Sequence, residues 1–227
     1  MIDRRTLIGG LAAVAATPAV ARSRTEIWTF DNLKRIGGLA VRAEGAPRVI
    51  RSPLGRAVEF DGVDDALFLD AHPLAGAERF TFEALFRPDG GAFEQRWFHL
   101  ESLETPPAAP GMSRTRMLFE IRVVGQSWYL DAFMRGEGYN HPLIVPGKLF
   151  PVGRWYHVAQ SYDGTTYRSY VDGVPQAEAA VAFTPQGPGR ACVGMRMNKV
   201  NPFRGAIRQA AFMREALPTD RFVLKVP

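Results

Sequence analysis

Polar residues set inside otherwise apolar, extended runs are where this sequence could do chemistry. A polar group on a covered sheet face is costly unless it finds a partner or a ligand. Three runs carry such groups: His99 with Glu101, Glu120 with Arg122, and Tyr129 with Asp131. The stretch that follows adds Arg135, Tyr139, Asn140 and His141. Imidazole, carboxylate, guanidinium and phenol are the groups a sugar site uses, as hydrogen-bonding partners beside an aromatic platform. Alternate residues of a strand share a face. Alternation therefore groups His99 with Glu101, Glu120 with Arg122, and Tyr129 with Asp131 and Arg135. If the three strands are neighbours, these groups converge on one groove. The competing expectation is an ordinary solvated face laced with cross-strand ion pairs.

Catalysis would ask for more. Retaining glycosidases hold two carboxylates about 5–5.5 Å apart. Glu120 and Asp131 are the pair that could meet across two strands, and an approach within about 6 Å would favour a polysaccharide-cleaving enzyme. No Gly-x-Ser-x-Gly nucleophile elbow is present. The four histidines and one cysteine show no metal-ligand spacing, and no Gly-x-x-x-x-Gly-Lys-Ser/Thr loop occurs. No catalytic residue is assigned, and the expectation is binding.

The elements that must position these residues are strands. Phe80, Phe82, Ala84 and Phe86 alternate along one run, and Met117, Phe119, Ile121 and Val123 along another. Further runs cover Trp128–Met134, Tyr156–Tyr162, Thr166–Val171 and the segment around Cys192. Asp163-Gly164 and Asp172-Gly173 punctuate two of them; such pairs suit tight hairpins, so a three-stranded meander is expected there. Residues 105–111 and 135–147 are expected to be loops. No helical period exceeds a turn or two, apart from one short turn within residues 215–221. Many short strands without alternating helices predict an all-β, antiparallel two-sheet sandwich.

The chain opens differently. Arg4-Arg5-Thr6-Leu7-Ile8 precedes a Gly/Ala-rich apolar stretch, then Ala19-Val20-Ala21 offers a small-x-small exit. This pattern predicts a signal peptide over residues 1–21, cleaved between Ala21 and Arg22, with twin-arginine character. The stretch from Leu7 to about Ala16 falls short of the roughly 20 residues that span a bilayer. A single domain is expected over residues 22–227, periplasmic or secreted, with no membrane span in the mature chain. The apolar share of 46% in 227 residues suffices for one sizeable core. Net charge is +5, yet Lys and Arg are scattered without runs, so no nucleic-acid partner is expected. One cysteine excludes an intrachain disulfide, and Cys192 reads as a small buried apolar residue.

Several blocks, taken in order, resemble a known family. They are Trp28-Thr29-Phe30-Asp31, then Phe60-Asp61-Gly62-Val63-Asp64-Asp65, then Phe80-Thr81-Phe82-Glu83-Ala84-Leu85-Phe86. Gly153-Arg154-Trp155-Tyr156-His157-Val158-Ala159 follows, with Tyr162-Asp163-Gly164 and Tyr170-Val171-Asp172-Gly173, and Phe203-Arg204-Gly205-Ala206-Ile207 closes the set. Together they resemble laminin G-like domains of the concanavalin A-like type, over most of residues 25–220. The resemblance implies a jelly roll that binds carbohydrate or another exported protein. Relatives on this fold include glycosidases and lyases, but the Glu-x-Asp-x-Glu triplet of the glucanases is absent. Interaction or structural work in the cell envelope, and polysaccharide cleavage, remain the alternatives to a lectin-like role.

The resemblance also implies a structural calcium, held by the residue matching Asp31 and by a carboxylate after Gly-x-Ile. Here Arg208 follows Gly205-Ala206-Ile207. A cation at a ligand position disfavours calcium and suggests that Arg208 pairs with Asp31. No cofactor is expected; the remaining carboxylate group that could hold calcium is Asp61, Asp64 and Asp65.

Overall fold

The computed structural model describes residues 25–103 and 114–226. The expected signal segment and the loop at residues 105–111 lie outside the described residues. Among the described residues eighteen strands account for nearly all the regular structure. In chain order they are β1 Glu26–Thr29, β2 Arg35–Ile36, β3 Leu39–Ala40, β4 Arg42–Glu44, β5 Arg48–Ser52 and β6 Gly55–Asp61. Then come β7 Ala66–Leu69, β8 Phe80–Pro88, β9 Glu94–Ser102, β10 Arg116–Val124, β11 Ser127–Gly136 and β12 Tyr139–Ile144. The last six are β13 Phe150–Pro151, β14 Tyr156–Tyr162, β15 Thr166–Val171, β16 Val174–Ala180, β17 Gly189–Val193 and β18 Arg204–Met213. One 3-10 turn follows at Thr219–Arg221.

Two antiparallel sheets carry the fold. The first runs β16-β15-β14-β8-β18-β6-β5, with β1 beside β18. The second runs β12-β11-β10-β9-β17-β7-β4, with β13 beside β11. Their apolar faces meet, and the alternating residues of β8 and β10 supply much of the contact, as their spacing predicts. Trp97 of β9 lies between Phe86 and Phe119, nearly parallel to both, with centroids at 4.4 and 5.1 Å. Aromatic stacking across the sheets fixes their separation, beyond the burial energy of the rings. A polar link crosses too: the Tyr167 hydroxyl donates to Gln160 Oε1 at 2.5 Å, and Gln160 Nε2 donates to the Leu118 carbonyl at 3.3 Å.

The meander β14-β15-β16 forms as expected. Its second turn has positive φ at both Asp172 (49°) and Gly173 (75°), the combination that a two-residue hairpin requires. Its first turn is different: the Asp163 carboxylate accepts the backbone N–H of Thr165 and Thr166 and holds a longer loop. The expected loop at residues 135–147 is largely strand, because β12 pairs with β11 in regular register. Trp155 is half-buried beside Arg87, whereas Val158 is core.

The outer face of the first sheet is covered at one place. Leu217, Phe222 and Leu224 pack on Leu85, Ala159 and Tyr170. Beneath them the fully buried Glu83 carboxylate accepts the N–H groups of Val223 and Leu224 at 3.1 and 2.9 Å and contacts His157 Nε2 at 3.0 Å. His157 is thereby a hydrogen-bonded structural residue.

Candidate functional site

The second sheet turns an array of charged groups away from the core. β9, β10 and β11 are adjacent, and their register aligns side chains in rows. One row crosses from β17 to β11 as Arg190, Glu101, Arg116 and Arg135. The next runs Cys192, His99, Leu118 and Phe133. A third holds Arg96, Glu120 and Asp131, and a fourth Glu94, Arg122 and Tyr129. His99, Glu101, Glu120, Arg122, Tyr129, Asp131 and Arg135 thus share one face, as alternation predicts.

Two expected members do not join them. Tyr139 is 4% exposed and belongs to the core, where its hydroxyl donates to the Thr184 carbonyl at 3.2 Å. Burial raises that phenol to about 12. His141 lies opposite Met134, which is a core residue. Residues 139, 141 and 143 share the inward side of β12, so the array continues through Asn140 instead, opposite Arg135.

Alternation misses Glu94 and Arg96. The β9–β10 register shifts between Phe119 and Glu120, so Trp97 is an extra residue that turns inward next to Phe98. This bulge reverses the parity of the strand. Glu94 and Arg96 therefore join His99 and Glu101 on the outer face. Two adjacent bulky aromatics in a polar-flanked strand were the available sequence signal.

The array is densely paired. Arg122 Nη2 approaches Asp131 Oδ2 at 2.6 Å and Glu120 Oε2 at 3.3 Å. Arg96 donates through Nε to Glu120 Oε1 at 2.9 Å and also contacts Glu94 and Asn201. Arg190 holds Glu101 through Nε and Nη2 at 2.8 and 2.7 Å. The segment after β17 clips onto this face: Met197 N–H donates to His99 Nδ1 at 2.9 Å, and Asn201 Nδ2 to Glu94 Oε2 at 3.1 Å. That bond leaves the His99 proton on Nε2, which faces Glu101 Oε2 at 3.7 Å. Burial pushes the His99 imidazole well below its ordinary value, and the guanidiniums of Arg116, Arg196, Arg190 and Arg96 push it further.

One nitrogen holds both Glu120 and Asp131, so their nearest oxygens lie within about 6 Å of each other. Burial and the neighbouring Glu120 raise the Asp131 carboxyl to about 7, with Arg122 opposing. The pair thus meets the approach within about 6 Å that the sequence reading set as favouring a cleaving enzyme. However, the residues are only 4% and 2% exposed beneath guanidiniums. A glycosidic oxygen could not reach either one without displacing Arg122. What remains accessible is the rim: exposed Phe93 beside Arg122, with ring and guanidinium 6.0 Å apart, and Arg190 at 40% side-chain exposure.

The expected pairing at the metal position is not formed. Arg208 sits at a register shift in β18 and donates through Nε to the Leu54 carbonyl at 2.9 Å. Asp31 accepts from Asn32 at 2.8 Å, and Asp31 and Arg208 make no ion pair among the described residues. The bulge lets β18 accept Phe30 N–H through the Arg208 carbonyl while the side chain turns towards Leu54. Arg208 stands where the second carboxylate ligand was expected and supplies no oxygen ligand there. Asp61, Asp64 and Asp65 do bring carboxylate oxygens within 4.8 Å of one another. Both Asp65 oxygens there already accept backbone N–H groups, from Ala46 and Asp61. Cys192 is buried, which pushes its thiol far up and makes it an inert packing residue.

Two antiparallel sheets packed face to face, with many short strands and Gly-rich turns, define the class as an antiparallel jelly-roll sandwich. The chain belongs to the concanavalin A-like lectin/glucanases superfamily, whose sequence profile matches residues 61–221. No curated protein matches it. Among solved structures it is similar to domain 4 of AbnA, a GH43 extracellular arabinanase from Geobacillus stearothermophilus, in complex with arabinotriose. The TM-score is 0.63 at 16% identity, over 88% of this chain and 96% of that one. The binding domain of botulinum neurotoxin serotype D aligns with TM-score 0.59 at 9% identity, over 86% of this chain and 48% of that one. A heptameric SAP-like pentraxin from Limulus polyphemus aligns with TM-score 0.54 at 16% identity, over 72% of this chain and 77% of that one. At these identities the likeness is one of fold. Among the described residues no helix is long and apolar enough to cross a membrane.

Proposed function

We propose that this protein is an exported, non-catalytic, lectin-like domain that binds carbohydrate on the outer face of β9, β10 and β11. The observation that carries the reading is the row register. It gathers planar hydrogen-bonding side chains from three neighbouring strands on one face, with exposed Phe93 at the rim. Guanidinium and carboxylate groups held rigid by one another lose little entropy on meeting sugar hydroxyls, and a flat ring offers the stacking surface. The arabinotriose bound to the AbnA domain supports the choice of ligand class. Export rests on the signal pattern of residues 1–21, and a periplasmic or secreted location follows from it.

A panel of soluble and insoluble polysaccharides tests the reading by depletion of the protein from solution. Saturable depletion by one of them, reversed by its free oligosaccharide, is the expected result. Absence of binding across the panel would shift the role to protein interaction. Release of reducing ends would instead establish the cleaving enzyme.

A further inference from the structure

The loop between β8 and β9 joins the proposed face to a cavity. Phe93, the exposed ring at the rim of the face, is the last residue before β9. Asp89, the first residue after β8, lines the cavity together with Arg48, Glu59, Asp61 and Arg204. Its volume of about 530 Å³ falls within the range of about 300–1,000 Å³ typical of ligand pockets. Asp89 and Phe93 are four residues apart, and four residues reach at most about 14 Å. The cavity and the ring are therefore neighbours. Their spacing is fixed by Gln95, which is fully buried. Its Nε2 donates to the Gly90 and Ala92 carbonyls at 2.9 and 2.8 Å, and its Oε1 accepts the Arg204 N–H at 2.9 Å. One side chain thus pins the loop that carries Phe93 to the strand that carries Arg204. The Asp89 N–H adds a bond to the Arg204 carbonyl at 2.9 Å. Gly91 has a φ of 102°, and a Cβ there would stand 3.3 Å from both Arg204 Cβ and Gln95 Nε2. Glycine lets the loop take that conformation and lie close to β18.

The cavity wall is held as firmly. Arg87 grips Asp89 through Nε and Nη2 at 2.8 and 2.7 Å and reaches Glu59 at 3.3 Å. Arg48 Nη2 meets Glu59 Oε2 at 2.7 Å, and Asp61 Oδ1 accepts the Val63 N–H at 2.7 Å. Carboxylates accept and guanidiniums donate, while a sugar hydroxyl does both. A wall that carries both groups, already fixed in place, therefore suits a polyhydroxyl ligand at low cost in side-chain entropy. We infer that the ligand is a glycan chain of several sugars rather than a single terminal sugar. One sugar stacks on Phe93, and another occupies the cavity between Arg48, Glu59, Asp61, Asp89 and Arg204. This deepens the carbohydrate reading and rests on it. Two sites at a fixed spacing bind a spanning chain more tightly than either binds alone, because the second contact is intramolecular.

Calorimetric titration with fragments of two lengths tests the inference. The probes are the disaccharide and the octasaccharide of linear arabinan, of xylan and of galactan. In at least one series the octasaccharide should bind the parent at least about tenfold more tightly than the disaccharide. A protein carrying both Arg48→Gln and Arg204→Gln should bring that ratio down to about one. Both residues are exposed, so this protein should keep the parent's melting temperature. Phe93→Ala should weaken binding of both lengths. A ratio near one in the parent would overturn the chain inference and leave the carbohydrate reading intact. A raised ratio that survives in the doubly substituted protein would place the further sugars outside the cavity and overturn the inference as well. Absence of binding in all three series would overturn both.

Discussion

Asp131 is a residue whose chemistry departs far from its ordinary state with a visible cause. It faces Glu120 across a strand pair, shares Arg122 with it, and is 2% exposed. Its folded value of about 7 stands against 3.8. Between those values the folded state binds the proton more tightly than the unfolded chain does. The resulting stabilisation is fully present below about pH 4 and is lost as pH rises towards 7. Asp131→Asn should therefore flatten the pH dependence of the denaturant midpoint across that window. At pH 8 the variant should be more stable than the parent by about 1–3 kcal/mol. An unchanged slope would show that Asp131 titrates normally. Which residues form the face was only partly legible beforehand. Strict alternation places His99, Glu101, Glu120, Arg122, Tyr129, Asp131 and Arg135 on it. It misses Arg96 and Glu94, because the Trp97 bulge changes parity and depends on the space between Phe86 and Phe119. Tyr139 and His141 were misplaced because a stretch rich in Gly, Asn and Pro nevertheless pairs as β12.

At the scale of elements, turn chemistry and apolar period were enough to anticipate β8, β10, β11 and the meander β14-β15-β16. Two other elements carry no such signal. The segment after β17 is held in part by backbone groups, such as the Met197 N–H on His99, which leave no mark in its residue types. The C-terminal strap is similar: Glu83 binds the amides of Val223 and Leu224, and amides are common to every residue. Glu83 lies in the family-like Phe-Thr-Phe-Glu block, yet its work is to tie this strap over Leu85 and Tyr170. Glu83→Ala should leave the buried Leu224 N–H, the part-buried Val223 N–H and His157 without their acceptor and destabilise the protein by about 3 kcal/mol. Chemical denaturation would read that loss, and limited proteolysis should cut first near residues 219–226. A variant with the parent's midpoint and cleavage pattern would mean that apolar packing alone holds the strap.

For the molecule as a whole, the sandwich separates two kinds of work. The inner faces supply an aromatic core, while the outer face of the second sheet holds ionic groups in fixed rows. This separation was visible in the sequence as alternation, and the ordered family-like blocks gave the fold. The pairing of the outer-face groups was not visible, because residue type alone does not reveal which cation meets which carboxylate. Metal dependence also belongs to this scale. With Arg208 in the closing strand and Asp65 occupied by two amides, neither calcium nor chelator should move the melting temperature. A calcium-dependent rise of several degrees would instead place an ion among Asp61, Asp64 and Asp65.

Site-directed mapping of glycan binding tests the central claim most directly. It compares the parent with Phe93→Ala and Arg135→Gln on the outer face of β9–β11, and with Arg168→Gln on the opposite sheet. The account predicts that both changes on the proposed face weaken binding of the glycan found by depletion about tenfold, while Arg168→Gln binds as the parent does. Equal binding by all four proteins, or a loss confined to Arg168→Gln, would place the ligand elsewhere and contradict the account.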